Sequence, residues 1–167
     1  MVNLGVNLAG VALKNPIIPA SGTFGYGREY AEAYDLNVLG SFSWKGTTGE
    51  ARLGNPQPRI AEMASGMLNA VGLQNPGIDA VIAHEVPNIG GFTLDEYAEN
   101  CRKLESVDQV AILEVNISCP NVHAGGKNFG CDPKAAAEVT KAVKAATSKP
   151  VFMKLTPNVT DIAEIAR

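Results

Sequence analysis

The sequence predicts an α/β fold, a parallel sheet with helices outside it, and three observations carry that expectation. Apolar runs of strand length alternate with amphipathic stretches of helix length. The residues just past the apolar runs are small, polar or cationic, which is what stands where parallel strands end at a ligand-binding rim. With 46% hydrophobic and 19% charged residues, a chain of 167 has enough apolar material for one core. Such alternation fits either an open doubly wound sheet or a piece of a barrel.

The elements follow in order. Residues 3–13 (NLGVNLAGVAL) alternate around Ala9-Gly10, so residues 1–13 are expected as an N-terminal hairpin within a single domain spanning 1–167. Residues 16–20 (PIIPA) read as a short buried strand ending at Ser21-Gly22. A helix over 29–36 leads to a second strand over 38–44, which ends at Lys45 and opens into a glycine- and proline-rich segment, 46–77. Segments of that length in a compact domain are usually functional or disordered. Helices are expected over 78–85 and 93–104, the second with Thr93 as cap and Glu96 three residues on, a capping box. A strand over 110–117, an alanine-rich helix over 133–147 capped by Asp132, a strand over 151–155 and a helix from 161 complete the order.

Two irregularities stand out. Only VPNIGGF (86–92) separates the two middle helices, too short for a full strand and both its connections, so the third strand is reduced or removed and an internal gap is expected there. Five strands at most do not close an eight-stranded barrel, and the last helix has no stop signal, so the chain is expected to be a portion of a longer one.

Composition narrows the partners. A net charge of −3 gives no electrostatic reason for nucleic acid or an anionic membrane, and no apolar run approaches the roughly 20 residues of a membrane span. The three cysteines, Cys101, Cys119 and Cys131, match no zinc spacing, and no basic stretch followed by an apolar one opens the chain. A cytoplasmic protein with reduced thiols is expected, in which the glycosylation patterns at Asn116 and Asn158 carry little weight. No metal site is expected, because the rim offers amides and lysines but no carboxylate cluster or histidine pair. No G-x-G-x-x-G or P-loop pattern occurs.

The candidate rim reads Ser21-Gly22, Lys45, Asn116 to Asn121, and Lys154. Neutral amides with lysines suit a planar anionic ligand that needs hydrogen bonds and charge compensation. Cys119 stands in this set. A thiol of pKa ~8.5 is a workable base near neutral pH, although most free cysteines are small buried hydrophobes.

The motifs SGTFGYGREY, WKGTT, GNPQPR, NAVGLQNPG, NISCPNVHAGG and KLTPNVTDI occur in that order. Together they resemble the dihydroorotate dehydrogenases, most closely the class 1 catalytic subunits and, through NAVGLQNPG and NISCPNV, the NAD-linked 1B branch. The resemblance implies a (β/α)8 TIM-barrel fold, here its N-terminal portion, that binds FMN and oxidises (S)-dihydroorotate to orotate in pyrimidine biosynthesis. It implies that Cys119 removes the C5 proton while hydride passes from C6 to FMN. Lys45 would meet flavin and the orotate carboxylate. Asn69, Asn116 and Asn121, with the backbone of Ala70, Val71, Gly72 and Leu73, would bind substrate. Ser21, Gly22, Gly46, Asn88, Asn116 and Lys154, with Lys45, would contact FMN. Gly125, Gly126 and Gly130 would let the loop after Cys119 move over substrate, and Cys101 and Cys131 would be structural. Implied partners are a second copy in a homo-oligomer and an electron-transfer subunit holding FAD and an iron-sulfur cluster. The competing readings are a dihydropyrimidine dehydrogenase-like barrel acting on uracil or thymine, and a truncated chain that binds no flavin.

Overall fold

The computed structural model describes residues 2–84, 88–118 and 129–167. Its centre is a four-stranded parallel sheet in the order β3 (Gly46–Thr47), β6 (Asn88–Ile89), β7 (Leu113–Asn116), β8 (Val151–Lys154). Helices α3 (Ile78–His84), α4 (Leu94–Glu105), α5 (Pro133–Ala146) and α6 (Ile162–Ala166) alternate with those strands along the chain. β7 makes the two faces legible. Leu113, Val115 and Ile117 are fully or almost fully buried in the core against the helices, while Glu114 points into a cavity on the opposite side.

The helix side is a continuous core. α5 buries Ala136, Val139 and Val143 and α4 buries Tyr97, Cys101 and Leu104, each set at the spacing of one helical stripe. Asp132 accepts from Lys134 N at 2.9 Å, and Pro133 sits in the first turn of α5, where a missing N–H costs nothing. Lys149 Nζ donates to the carbonyls of Val107 and Val110 at 2.6 and 2.8 Å, and Glu105 accepts from Thr147 and Ser148, which ties the end of α4 to the turn before β8. Those two hydroxyl hydrogen bonds hold the Glu105 carboxyl below its usual range.

Cys101 lies within this core, and burial pushes its thiol from an ordinary 9.0 up to about 12. The unfolded thiol ionises near its ordinary value while the folded one does not, so this contribution to stability is complete below pH 9.0 and is lost as pH rises toward about 12. At pH 8, iodoacetamide is expected to modify the exposed Cys131 and to reach Cys101 only on unfolding. Labelling of Cys101 in the folded chain, followed by peptide mass, would contradict this.

On the other face, the hairpin β1 (Val6–Leu8) and β2 (Val11–Leu13) turns through Ala9 and Gly10, both at positive φ, and brings Leu8, Val11 and Leu13 against Phe42, Trp44 and Phe152. They line a mainly apolar cavity of about 500 Å³. The residues preceding β7, 109–112, line it too, so it lies toward the amino-terminal ends of the strands, away from the rim, and reads as sheet interior.

Several elements differ from expectation. Residues 16–20 form no regular strand and are not buried throughout, with Ile17 58% exposed. Pro16 and Pro19 have no N–H to complete a ladder, so pairing is one-sided: the carbonyls of Ile17 and Pro19 accept from Gly40 and Ser43. The helix expected over 29–36 is a single turn, α2 (Arg28–Ala31). Asp35 instead caps a 3₁₀ turn, Leu36–Val38, accepting from Asn37 N at 2.9 Å. Residues 38–44 therefore open with that turn, and regular pairing is delayed to β3. The 46–77 segment holds a hairpin, β4 (Ile60–Met63) with β5 (Gly66–Asn69), exposed along its whole length. The third strand is reduced, not removed: β6 pairs with both β3 and β7 through two residues.

Candidate functional site

The rim is built by register. Asn116 stands opposite Lys154, and Ile117 N donates to Lys154 O at 3.3 Å, so an amide and an ammonium-bearing chain leave adjacent strand ends together. Gly46 stands opposite Asn88, and Ile89 opposite Val115. Lys154 is exposed and Asn116 half-buried. Asn116 Oδ1 accepts from Ser118 N at 3.0 Å and Ser118 Oγ at 2.6 Å, an Asx turn that takes up the acceptor and leaves Nδ2 donating to no described residue. Cys119 and Asn121, with Gly125 and Gly126, lie outside the described residues.

Gly130 has a steric reason for being glycine. A Cβ there would lie 2.4 Å from the Ile117 carbonyl oxygen and 3.2 Å from Thr156 Cγ2, so the backbone after residue 128 is seated directly on the end of β7. A hinge role is not needed to explain it.

On β3's side, Lys45 is half-buried, with its N–H donating to Gly25 O at 2.9 Å and its carbonyl accepting from Thr47 Oγ1 at 3.0 Å. Ser21 and Gly22 begin a one-turn helix, α1 (Ser21–Phe24), which Phe24 anchors by stacking on Tyr30 and packing at a tilt against Phe42. The Ser21 side chain is 5% exposed, and its hydroxyl makes no hydrogen bond to any described residue, a buried polar group in want of a partner.

The segment Asn69 to Leu73 forms a third part of the site and owes its shape to residues 52–59. Ala70 N donates to Arg59 O at 2.8 Å, Asn55 N to Val71 O at 2.9 Å, and Asn55 Nδ2 to Ala70 O at 2.8 Å. Arg59 donates to the carbonyls of Leu53 and Asn55 at 2.9 and 3.2 Å and to the Gln74 side chain. Gly72 at φ +76° and Leu73 at φ +55° turn the chain inward. Buried Leu73 comes close to Gly90, just past β6. Among the described residues no hydrogen bond joins Asn69 to Lys45, Asn116 or Lys154.

Asn75 was not expected. It is 6% exposed, and its Oδ1 accepts from Thr48 N and Gly77 N at 3.2 and 2.9 Å. Its Nδ2 donates to Thr48 Oγ1 and Leu73 O at 2.9 and 2.6 Å. One side chain thus fastens the segment ending at Leu73 to the end of β3 and to the start of α3. Its signal was the Asn-Pro-Gly turn before a helix, which reads as ordinary turn chemistry until the tertiary partners are known. Among the described residues no group of three or more His, Cys, Asp or Glu side chains gathers as for a metal ion, and no helix is long and apolar enough to cross a membrane.

The chain is similar to known proteins over its whole length. The family model for dihydroorotate dehydrogenase matches residues 3–167. The "dihydroorotate dehydrogenase B (NAD(+)), catalytic subunit" of Anoxybacillus flavithermus is 53% identical, over 100% of this chain and 57% of its own length. The proteins of the same name from Listeria welshimeri and Cutibacterium acnes are also 53% identical, over 100% of this chain and 59% of theirs. The chain therefore spans under two thirds of the length of these curated relatives. The match to the Anoxybacillus protein runs over 178 positions against the 167 residues here, a difference of 11. Among solved structures, DHODH from Eimeria tenella in complex with ferulenol superposes with a TM-score of 0.72 at 20% identity, over 98% of this chain and 56% of that one. That likeness shows the fold, a TIM-barrel type of which the described sheet is a part.

Proposed function

The chain belongs to the dihydroorotate dehydrogenase family, and on that premise we propose that, within a protein of its relatives' length, it oxidises (S)-dihydroorotate to orotate. The observation that carries this reading is the register of β7 on β8, which sets the Asn116 amide beside Lys154, three residues before Cys119 in the sequence. Bound FMN supplies the hydride acceptor.

The residues present fit that group. The buried Ser21 hydroxyl, which has no partner among the described residues, offers a hydrogen bond, and Gly46 presents buried backbone without a side chain. Lys154, exposed at the end of β8, would supply a cation to the anionic edge of a reduced flavin. Gly22, in the first turn of α1, and Asn88, opposite Gly46, would complete the proposed FMN contacts.

Cys119 takes the proton from C5 of dihydroorotate as its thiolate, while the hydride leaves C6. Asn69, Asn116 and Asn121 hold the pyrimidine, since an amide both donates and accepts and so matches alternating N–H and C=O groups. The backbone of Ala70, Val71, Gly72 and Leu73 closes on the same ligand. Asn116 does so through Nδ2, because Ser118 already occupies Oδ1. Lys45 meets the substrate carboxylate in a charge-assisted hydrogen bond.

That last role separates the substrates. Lys45→Ala is expected to lower kcat/KM for dihydroorotate by roughly 10-fold or more and to change turnover of uracil or thymine little. Equal losses, or faster turnover of uracil than of dihydroorotate by the parent, would favour the dihydropyrimidine reading. The relatives are named catalytic subunits of an NAD(+)-linked enzyme, and we assign this chain the same kind of partner, an electron-transfer subunit with FAD and an iron-sulfur cluster, together with a second copy of itself.

A further inference from the structure

We propose that the first two turns of α4 are the positioning element of this site, fixing from one helix the ends of three adjacent strands; the proposal rests on the substrate role given above to Asn116. Three side chains of these turns, those of Glu96, Tyr97 and Asn100, act on backbone. The Glu96 carboxylate accepts from Gly49 N at 3.0 Å, past the end of β3, and from Phe92 N at 2.8 Å, past the end of β6. Asn100, 1% exposed, donates Nδ2 to Gly90 O at 3.1 Å, the first residue after β6. Tyr97, 3% exposed, donates its hydroxyl to Asn116 O at 2.9 Å, the last residue of β7.

The helix is held on both sides of these contacts. Thr93 Oγ1 accepts from Glu96 N at 3.1 Å, closing the first turn. The expected capping box is only half formed, because the Glu96 side chain is turned outward to Gly49 and Phe92 and not back to Thr93. Farther along, Cys101 and Leu104 are sealed in the core against α5. A fixed helix that reaches three strand ends converts core packing into placement of the rim. Placement matters because an error of about 1 Å in a reacting group can cost about 100-fold in rate.

Tyr97 is the sharpest case. Asn116 Oδ1 is engaged by Ser118, so the direction of Nδ2 follows the backbone at Asn116, and the Tyr97 hydroxyl is bonded to that backbone. The segment leading to Cys119 starts from the same point. Tyr97 touches no ligand in this scheme; it is a positioning residue.

The test is a double-mutant cycle on orotate binding, measured by calorimetry in the flavin-loaded protein at its full natural length. Tyr97→Phe removes the hydroxyl and keeps the ring that packs edge-on to Phe129 at 6.0 Å, so its unfolding midpoint should stay within a few degrees of the parent's. The orotate Kd is expected to rise about fivefold. Asn116→Ala alone should also raise it, and adding Tyr97→Phe to Asn116→Ala should change it less than about twofold. Glu96→Gln, which keeps the side-chain size but turns an amide toward backbone N–H groups, provides a second variant and should weaken binding by a similar factor. Equal factors for Tyr97→Phe in both backgrounds, or an unchanged Kd in both Tyr97→Phe and Glu96→Gln, would overturn the proposal while leaving the function standing. A parent protein that binds no orotate would remove the function first and this proposal with it.

Discussion

Cys119→Ala is expected to slow the reduction of bound flavin by dihydroorotate roughly 100-fold or more at neutral pH, because general-base assistance by a positioned side chain contributes on that scale. Among the described residues the site offers no obvious substitute. The described groups closest along the chain are the Ser118 hydroxyl, already bonded to Asn116 Oδ1, and the Asn116 amide, and neither is a base near pH 7. The pH signature is equally specific: the parent rate should climb with pH as more of the thiol is ionised, and that limb should disappear in the alanine variant. Orotate affinity should change only a few-fold, since the thiol's proposed part is in the proton transfer. An alanine variant that reduces flavin as fast as the parent in stopped flow would remove Cys119 from the mechanism.

The largest stability effect is expected at Asn75. Asn75→Ala strands the N–H groups of Thr48 and Gly77 and the carbonyl of Leu73 in a buried region. Each such group costs about 1–3 kcal/mol when left unpaired, so a loss on the order of 3 kcal/mol is expected in denaturant unfolding. Thr48 Oγ1 keeps its bond to Glu50 O at 2.7 Å, which limits the damage on that side. The segment from Asn69 to Leu73 should loosen at the same time, so the variant should lose orotate affinity even at temperatures where it is folded. A change below about 0.5 kcal/mol would mean that the turn is held by residues 52–59 alone.

The parts of the fold legible in the sequence are those in which local chemistry and burial agree. Asp132 with Pro133 announces α5, Thr93 announces α4, and the run from Leu113 to Asn116 reads as strand because its alternate residues are needed both in the core and on the rim. Prediction fails where a tertiary contact decides. Residues 16–20 are apolar enough to suggest a buried strand, yet two prolines remove N–H groups and Ile17 N is turned to Asn15 Oδ1, so only carbonyls pair with the following segment, which approaches closely at Gly40, whose Cβ would fall 1.9 Å from Asn15 O. The hairpin β4–β5 was missed because its residues, Met63, Met67 and Leu68 among them, lie exposed and give no alternation of buried and open positions.

The site divides in the same way. Asn116 and Lys154 could be placed by counting to the ends of apolar runs, since parallel strands present their final residues at one rim. Glu96, Tyr97, Asn100 and Asn75 could not, because their work is done on the backbone of segments 10 to 47 residues away or on turns whose partners the sequence does not display. Glu96 is instructive: its position three residues after Thr93 is a capping-box signal, and the structure uses the same carboxylate to join two strand ends.

The central claim is that this rim, in the complete protein, holds a flavin that dihydroorotate reduces. The most direct measurement is the visible spectrum of the purified protein, with its length confirmed by intact mass, before and after anaerobic dihydroorotate. A bound oxidised flavin that bleaches on addition of dihydroorotate is the predicted result. A full-length protein that carries flavin but keeps its colour with dihydroorotate, or that takes up no flavin when FMN is supplied, would contradict it.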